Sequence, residues 1–279
     1  DDDPFDPKTW AKANPGWNFI NQREFKEIAK RAEREPSLLN TFKRYNLNMW
    51  TGSTESWIPP HEWKLGDSGV GFQDVRGSEC YGGLYVSSVR DLNAFCLYFP
   101  QERQLFWWFW CPMTASNQRK INISGYEKWV KDGYIRENEG TTLDDSIITD
   151  RIIELSRVVN IKEIAFHRSE ATSKVLTLQE KGFEMVPQSV SSYGDMSAPA
   201  KELEKRLLEG KINHGGNPVA AYMVECTQMA FKEDMVRPDA KESKDNICGV
   251  YAAIMAIGGW MNAEQVTESV YESHGIRSV

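Results

Sequence analysis

The chain has 279 residues, of which 41% are hydrophobic and 26% charged, proportions that are ordinary for a soluble globular protein. Its formal net charge of −7 argues against a surface broadly coated with positive charge for nucleic acid, although its 33 Lys and Arg could still form a local basic face. No apolar run approaches the roughly 20 residues that span a bilayer, so we expect no membrane segment. Five cysteines without a CxxC pair favour a reducing compartment over a disulfide framework.

Residues 1–70 are rich in tryptophan and predict a helical segment. In 21–35, NQREFKEIAKRAERE, apolar side chains such as Phe25 and Ala29 recur at helical spacing. The stretch 36–46, PSLLNTFKRYN, predicts a second helix with proline in its first turn. An irregular aromatic stretch follows at 50–63, and its tryptophans predict packing against a neighbouring domain.

After residue 70 the pattern changes to strands and helices. Three aromatic and β-branched runs predict strands, and the short connections between them favour an antiparallel meander: CYGGLYVSSV, LNAFCLYFP and QLFWWFWCP. The runs IKEIAFH and FEMVP predict parallel strands joined through a helix. Further helices are predicted at 126–133, 144–160, 169–182, 197–210 and 241–260. The order predicts an α/β fold of the ribonuclease H-like type for 71–279: a mixed sheet, first antiparallel and then parallel, flanked by helices.

Eight segments then match a known family in collinear order: WAKANPGW, CYGGLYVSSVRDLNAF, GYEKWVKDGYIRENEG, TLDD, IKEIAFHRSEA, GFEMVPQ, SAPAKELEKRLLEGKINHGGNPV and KDNICGVYAAIMAI. The sequence resembles the large terminase subunit of tailed bacteriophages, the motor that packages DNA into the capsid. The resemblance implies an upstream ATPase domain outside this sequence and residues 1–70 as a connecting segment. It also implies that 71–279 is the nuclease domain, which cuts concatemeric double-stranded DNA.

Nucleases of this family hold two Mg²⁺ or Mn²⁺ ions with carboxylates from three separated motifs. The three corresponding positions here are Tyr85 in GLYVSS, His167 in AFHRSE and Cys248 in NICGVY. Neutral phenol, imidazole and thiol groups cannot balance the charge of hard cations. We therefore expect no bound metal and a nuclease reaction that is absent or severely weakened, so whether the chain is an enzyme is open.

Other residues leave alternatives open. Asp91 together with either Asp245 or Glu170 could bind one Mg²⁺ weakly through water, although Asp91 suits a turn and Asp245 a cap of the final helix. A rearranged enzyme site is a second alternative, either zinc on the three substituted positions or a nucleophilic Cys248 paired with His167. A phenol with two good ligands is a poor zinc set, however.

A basic rim is also predicted around these positions. The resemblance places Ser87, Ser88 and Arg90 where the family's first hairpin approaches DNA, and hydroxyls with an Arg can contact phosphates. Arg168 follows the second substituted position, and Lys241 and Lys244 precede the third. The alternative is an ordinary solvated surface. The loop HGGNPV, 214–219, could present backbone N–H groups to a phosphate or could be a plain turn.

The sequence thus predicts the nuclease-type domain of a phage or prophage large terminase that acts in viral DNA packaging. The resemblance implies double-stranded DNA, the small terminase subunit and the portal as partners, in the host cell cytoplasm. The remaining alternative to these functions is a non-catalytic module that binds DNA or protein.

Overall fold

A computed structural model describes residues 2–34, 39, 42–49, 56–87, 91–168 and 172–273. The chain forms two compact units that divide between Pro59 and Pro60. The sequence places its boundary near residue 70, and the role of 1–70 as a linker stays a prediction.

The first unit is a small helical body. It contains α1 (Pro7–Ala13), α2 (Gln22–Arg34) and a π-helical turn at Phe42–Asn46. The predicted helix over 21–35 is therefore confirmed, and its buried Phe25 and Ala29 face a core that includes Trp10 and Phe42. The helix predicted over 36–46 lies partly outside the described residues. Much of the aromatic stretch over 50–63 lies outside them as well.

The second unit begins with α3 (Pro60–Trp63) and contains a six-stranded sheet in the order β4-β3-β2-β1-β5-β6. The strands are β1 (Glu79–Tyr85), β2 (Asn93–Phe99), β3 (Gln104–Pro112), β4 (Ile135–Asn138), β5 (Asn160–His167) and β6 (Met185–Gln188). Strands β1 to β3 form the predicted antiparallel meander, and β5 and β6 join in parallel. The mixed sheet is confirmed. The parallel strand β4 at the far edge was not predicted.

Helices cover both faces of this sheet. They are α4 (Met113–Asn122), α5 (Tyr126–Lys131), α6 (Asp145–Ser156), α7 (Thr172–Glu180), α8 (Tyr193–Leu208), α9 (Pro218–Cys226) and α10 (Cys248–Ser273), and a small hairpin pairs β7 (Met229–Lys232) with β8 (Met235–Pro238). Ile148 and Ile152 of α6 and Leu178 of α7 belong to the core cluster that includes sheet residues such as Phe95. Helix α10 packs on the other face against β1, β2 and β5. Among the described residues, no helix combines the length and apolar character needed to cross a membrane.

Helix α10 packs so closely on β1 that the main chains of the two elements are in contact. A Cβ atom added at Gly83 would stand 1.9 Å from the carbonyl oxygen of Ala252, so only glycine permits this approach. The indole of Trp107 on β3 donates to the Gly249 carbonyl over 3.0 Å and ties the first turn of α10 to the sheet. The final helix begins at Cys248 and not at residue 241 as predicted, because residues 241–247 form a polar loop instead.

Candidate functional site

The three substituted positions come together at one end of the sheet. Tyr85 ends β1, His167 ends its parallel neighbour β5, and Cys248 begins α10. The Tyr85 ring stacks on His167 with 5.6 Å between centroids and 6° between planes. Its other face stacks on Tyr251, one turn into α10, at 5.0 Å and 19°. A stack of three rings therefore includes two of the three positions at which the family resemblance expects carboxylates.

The thiol of Cys248 is shielded from solvent. Only 1% of the residue is exposed, and this burial raises the pKa of the thiol well above its ordinary value, with the nearby Asp91 carboxylate adding to the shift. A nucleophilic or metal-binding cysteine needs its thiolate form, which this environment disfavours. Cys248 therefore has the character of a packing residue.

A cavity of about 490 Å³ opens beside the ring stack, and a charge network forms one wall of it. Arg119 of α4 donates from Nη2 to Oδ1 of Asp91 over 2.6 Å and from Nη1 to Oδ1 of Asp245 over 2.9 Å. The remaining oxygens are also engaged: Asn246 Nδ2 donates to Asp91 Oδ2 over 2.8 Å, and the Tyr222 hydroxyl donates to Asp245 Oδ2 over 2.9 Å. Each carboxylate oxygen of the pair accepts a hydrogen bond.

The guanidinium of Arg119 is the local counter-charge. Burial alone would lower the pKa of Arg119, but Asp91 and Asp245 outweigh that effect and raise its pKa above the ordinary value. The cation is therefore permanent. It pairs with two of the three acidic side chains that the sequence offers as residual metal ligands.

These residues do not fit the two-metal site of the family. Hard divalent cations need several free oxygen ligands, whereas the Asp91 and Asp245 oxygens are held by Arg119, Asn246 and Tyr222. Within the described part of the chain, no group of three His, Cys, Asp or Glu side chains converges in a way that could hold a metal ion. The positive charge beside these two carboxylates is that of Arg119.

The three residual acidic candidates have different outcomes. Asp91 accepts from the Leu92 N–H over 2.7 Å, as expected of a turn residue, but it also pairs with Arg119. The prediction that Asp245 caps the final helix is wrong: Asn246 Oδ1 accepts from the Cys248 N–H over 2.8 Å instead. Glu170 lies outside the described residues.

Sequence reasoning missed Arg119, Asn246, Tyr222 and Tyr251. Arg119 and Asp245 are 126 positions apart, and no local spacing links them. One feature of the sequence could have pointed to Arg119. Two acidic residues are predicted near a site where no metal ion is expected, and such carboxylates need another positively charged partner.

The structure describes four of the six residues of the predicted basic rim. Ser87 is half-buried and lines the cavity, and its N–H donates to Asn93 Oδ1 over 2.9 Å. Arg168 is exposed directly after His167. Lys241 and Lys244 are exposed and flank Ser243, which lines the same cavity. Ser88 and Arg90 lie outside the described residues.

The glycine loop at 214–219 has a packing role. The ring of His214 is buried and stacks on Trp63 with 4.0 Å between centroids, while its Nε2 lies 2.7 Å from the Trp63 carbonyl oxygen. Its Nδ1 accepts from the Gly216 N–H, so the imidazole is the neutral form that carries its proton on Nε2. Gly215 and Gly216 both have positive φ, as a tight turn requires.

A mixed sheet of antiparallel and then parallel strands, with helices on both faces, is the ribonuclease H-like architecture. The chain belongs to the family described as the terminase large subunit, endonuclease domain, whose profile matches residues 1–264. It is 25% identical over 297 residues to Protein YmfN of Escherichia coli K12, covering all of this chain and 65% of that protein. It is 26% identical over 268 residues to the large terminase subunit of Enterobacteria phage HK97, covering 90% of this chain and 51% of that protein.

The crystal structure of the HK97 bacteriophage large terminase has the same fold. It superposes with a TM-score of 0.66 at 24% identity, covering 93% of this chain and 55% of that one. The chain spans less than two thirds of the length of each of these relatives. The similarity confirms the ribonuclease H-like fold that the order of strands predicted.

Proposed function

We propose that this chain is the nuclease-type domain of a large terminase subunit that engages double-stranded DNA during packaging but has lost, or nearly lost, the cutting reaction. The observation that carries the proposal is the pairing of Arg119 with both Asp91 and Asp245. The pairing supports the proposal because Arg119 is a fixed organic cation that lines one cavity with Tyr85 and Cys248, two positions at which the family resemblance expects carboxylates. A site arranged this way cannot activate water through two hard metal ions.

Residual DNA contact is supported by the rim and not by the overall charge. Lys241 and Lys244 are exposed next to cavity-lining residues 240, 243 and 245, and Arg168 is exposed directly after His167, although the whole chain has a net charge of −7. Lysine and arginine side chains can contact phosphates without reading sequence. We therefore expect binding that is salt-dependent and indifferent to sequence.

The proposal also covers the assembly in which the domain works, and family membership supports this part. We propose that the domain acts with a small terminase subunit and a portal in the cytoplasm of the host cell, next to an ATPase domain that precedes the segment 1–70. Within that assembly, a silent nuclease domain would position DNA and leave the cut to another protein.

Two measurements on one sample test the proposal. Plasmid incubated with the chain and Mg²⁺ or Mn²⁺ should stay supercoiled, while retardation of linear duplex should weaken steeply with salt. The double variant Lys241→Glu, Lys244→Glu should lose retardation. Arg157→Glu is the matched control, because this exposed residue precedes β5 at the opposite end of the sheet from His167.

The outcomes separate the candidate functions. Nicking by the wild-type chain that a chelator abolishes would overturn the loss of cutting. No retardation at low salt would overturn DNA engagement and favour a module that binds protein alone. The variant that combines Tyr85→Asp, His167→Asp, Cys248→Asp and Arg119→Met supplies the positive control for metal binding, and we expect Mn²⁺ to raise its melting temperature.

A further inference from the structure

The outer edge of β3 is covered at both ends and open between them. Strand β4 pairs only with Phe109–Pro112. At the other end, the Leu105 N–H donates to the Asn213 carbonyl over 2.8 Å. Over 106–108, no strand among the described residues pairs with β3 on this side. The sheet therefore has a short gap in its edge.

Main-chain groups of Trp107 point into this gap. Alternate residues of a strand direct their N–H and C=O groups to the same side. Since the Leu105 N–H points outward to Asn213, the N–H and C=O of Trp107 point outward as well. An edge with such groups is a template for another strand.

The gap has side-chain walls on both faces of the sheet. It opens into a cavity of about 450 Å³ that Phe72, Phe106 and Trp108 line on one face and Leu105 and Trp107 on the other. The Phe72 ring meets Phe106 and Trp108 edge-on, at 5.3 Å in both cases. These walls suit the alternating side chains of an added strand.

Two arginines give the cavity its charge. Arg136 of β4 is exposed and pairs in register with Trp110, so its side chain lies on the same face as that of Trp108. The Arg151 guanidinium of α6 stands 5.8 Å from the centre of the Trp108 ring and also bonds Glu154 Oε2 over 3.0 Å. Both arginines line the cavity, and none of the described residues that line it is acidic.

We propose that this gap, the β3 groove, binds an extended acidic segment of a partner protein, which adds as a strand between Asn213 and β4. The main chain of the segment would pair with Trp107, its apolar side chains would fill the aromatic wall, and its carboxylates would meet Arg136 and Arg151. A peptide fits better than single-stranded nucleic acid, because the aromatic rings are engaged edge-on with one another and a strand edge offers no match to phosphates.

The test selects binders from a displayed library of random short peptides against the whole chain, and then measures affinity by fluorescence anisotropy. We expect enriched peptides to alternate apolar and acidic residues, and the double variant Arg136→Glu, Arg151→Glu to weaken their binding about tenfold or more. Arg157→Glu again serves as the matched control, since it lies outside this cavity. Hydrogen exchange at the Trp107 amide should slow when the peptide is bound.

Each other outcome overturns the proposal. Enriched peptides without acidic residues, or with unchanged affinity for the double variant, would remove the role of the arginines. Unchanged exchange at Trp107 would remove strand addition. Oligothymidine that competes with the peptides, or a library that yields no binder dependent on this cavity, would assign the β3 groove to nucleic acid or to no ligand.

Discussion

Removal of Arg119 should destabilise the chain and expose a cation site. In Arg119→Ala, the Asp91 and Asp245 carboxylates lose their shared partner and become like charges on one cavity wall. Their side chains are 34% and 22% exposed, and that of Arg119 is 17% exposed. Loss of one partner of a fully buried pair costs about 3–5 kcal/mol and of a surface pair at most about 1 kcal/mol. Between these limits, we expect a loss of about 2–3 kcal/mol.

The assay is thermal unfolding of the wild type and the variant with and without Mn²⁺. The loss corresponds to a melting temperature lower by about 6 °C for a chain of this size. Mn²⁺ should stabilise Arg119→Ala, because two unpaired carboxylates can then bind it, and should leave the wild type unchanged. Adding Asp91→Asn and Asp245→Asn to Arg119→Ala should restore part of the stability and remove the Mn²⁺ effect. The reasoning fails if Arg119→Ala melts like Arg157→Ala, or if Mn²⁺ stabilises wild type and variant equally.

Three further predictions concern the scaffold and its titratable groups. Gly83→Ala should cost about 3 kcal/mol or more in urea unfolding, because its Cβ would collide with the Ala252 carbonyl, whereas Gly16→Ala has open space and should be nearly neutral. Burial lowers the pKa of His214, so the unfolded chain binds a proton below about pH 6.5 that the folded chain does not. The free energy of unfolding should therefore fall as the pH drops through that value. In His214→Gln, the dependence of stability on pH should be flatter. Native Cys248 should resist alkylation at pH 8 and label only after unfolding, and rapid native labelling would contradict its buried, protonated state.

Much of the fold could be predicted because it depends on local patterns. The runs that became β1, β2, β3 and β5 are aromatic and β-branched, and their short or helical connections fix the direction of pairing. Strand β4 was missed because its four residues, Ile135–Asn138, are mostly polar and only Ile135 is fully buried. The start of α10 was placed too early because the polar residues of 241–247 are compatible with a helix. The boundary is set by a capping hydrogen bond, in which the Cys248 N–H donates to the Asn246 side chain.

The site could be predicted only in part. The family resemblance was needed to expect Tyr85, His167 and Cys248 at one end of the sheet, and the structure places them there because β1 and β5 are neighbours and α10 packs on both. What the side chains do there depends on contacts between distant segments. The ring stack needs Tyr251, and the charge network needs Arg119 from α4, a helix that the sequence reading did not identify.

The contact of Gly83 with Ala252 bears on how such a domain tolerates change. Because the spacing of strand and helix there is set by carbonyl and Cα atoms, it is independent of which side chains stand at the neighbouring strand end. Chemistry at positions 85 and 248 can be exchanged while the framework keeps its dimensions. The same geometry would let an engineered reaction be installed on this scaffold.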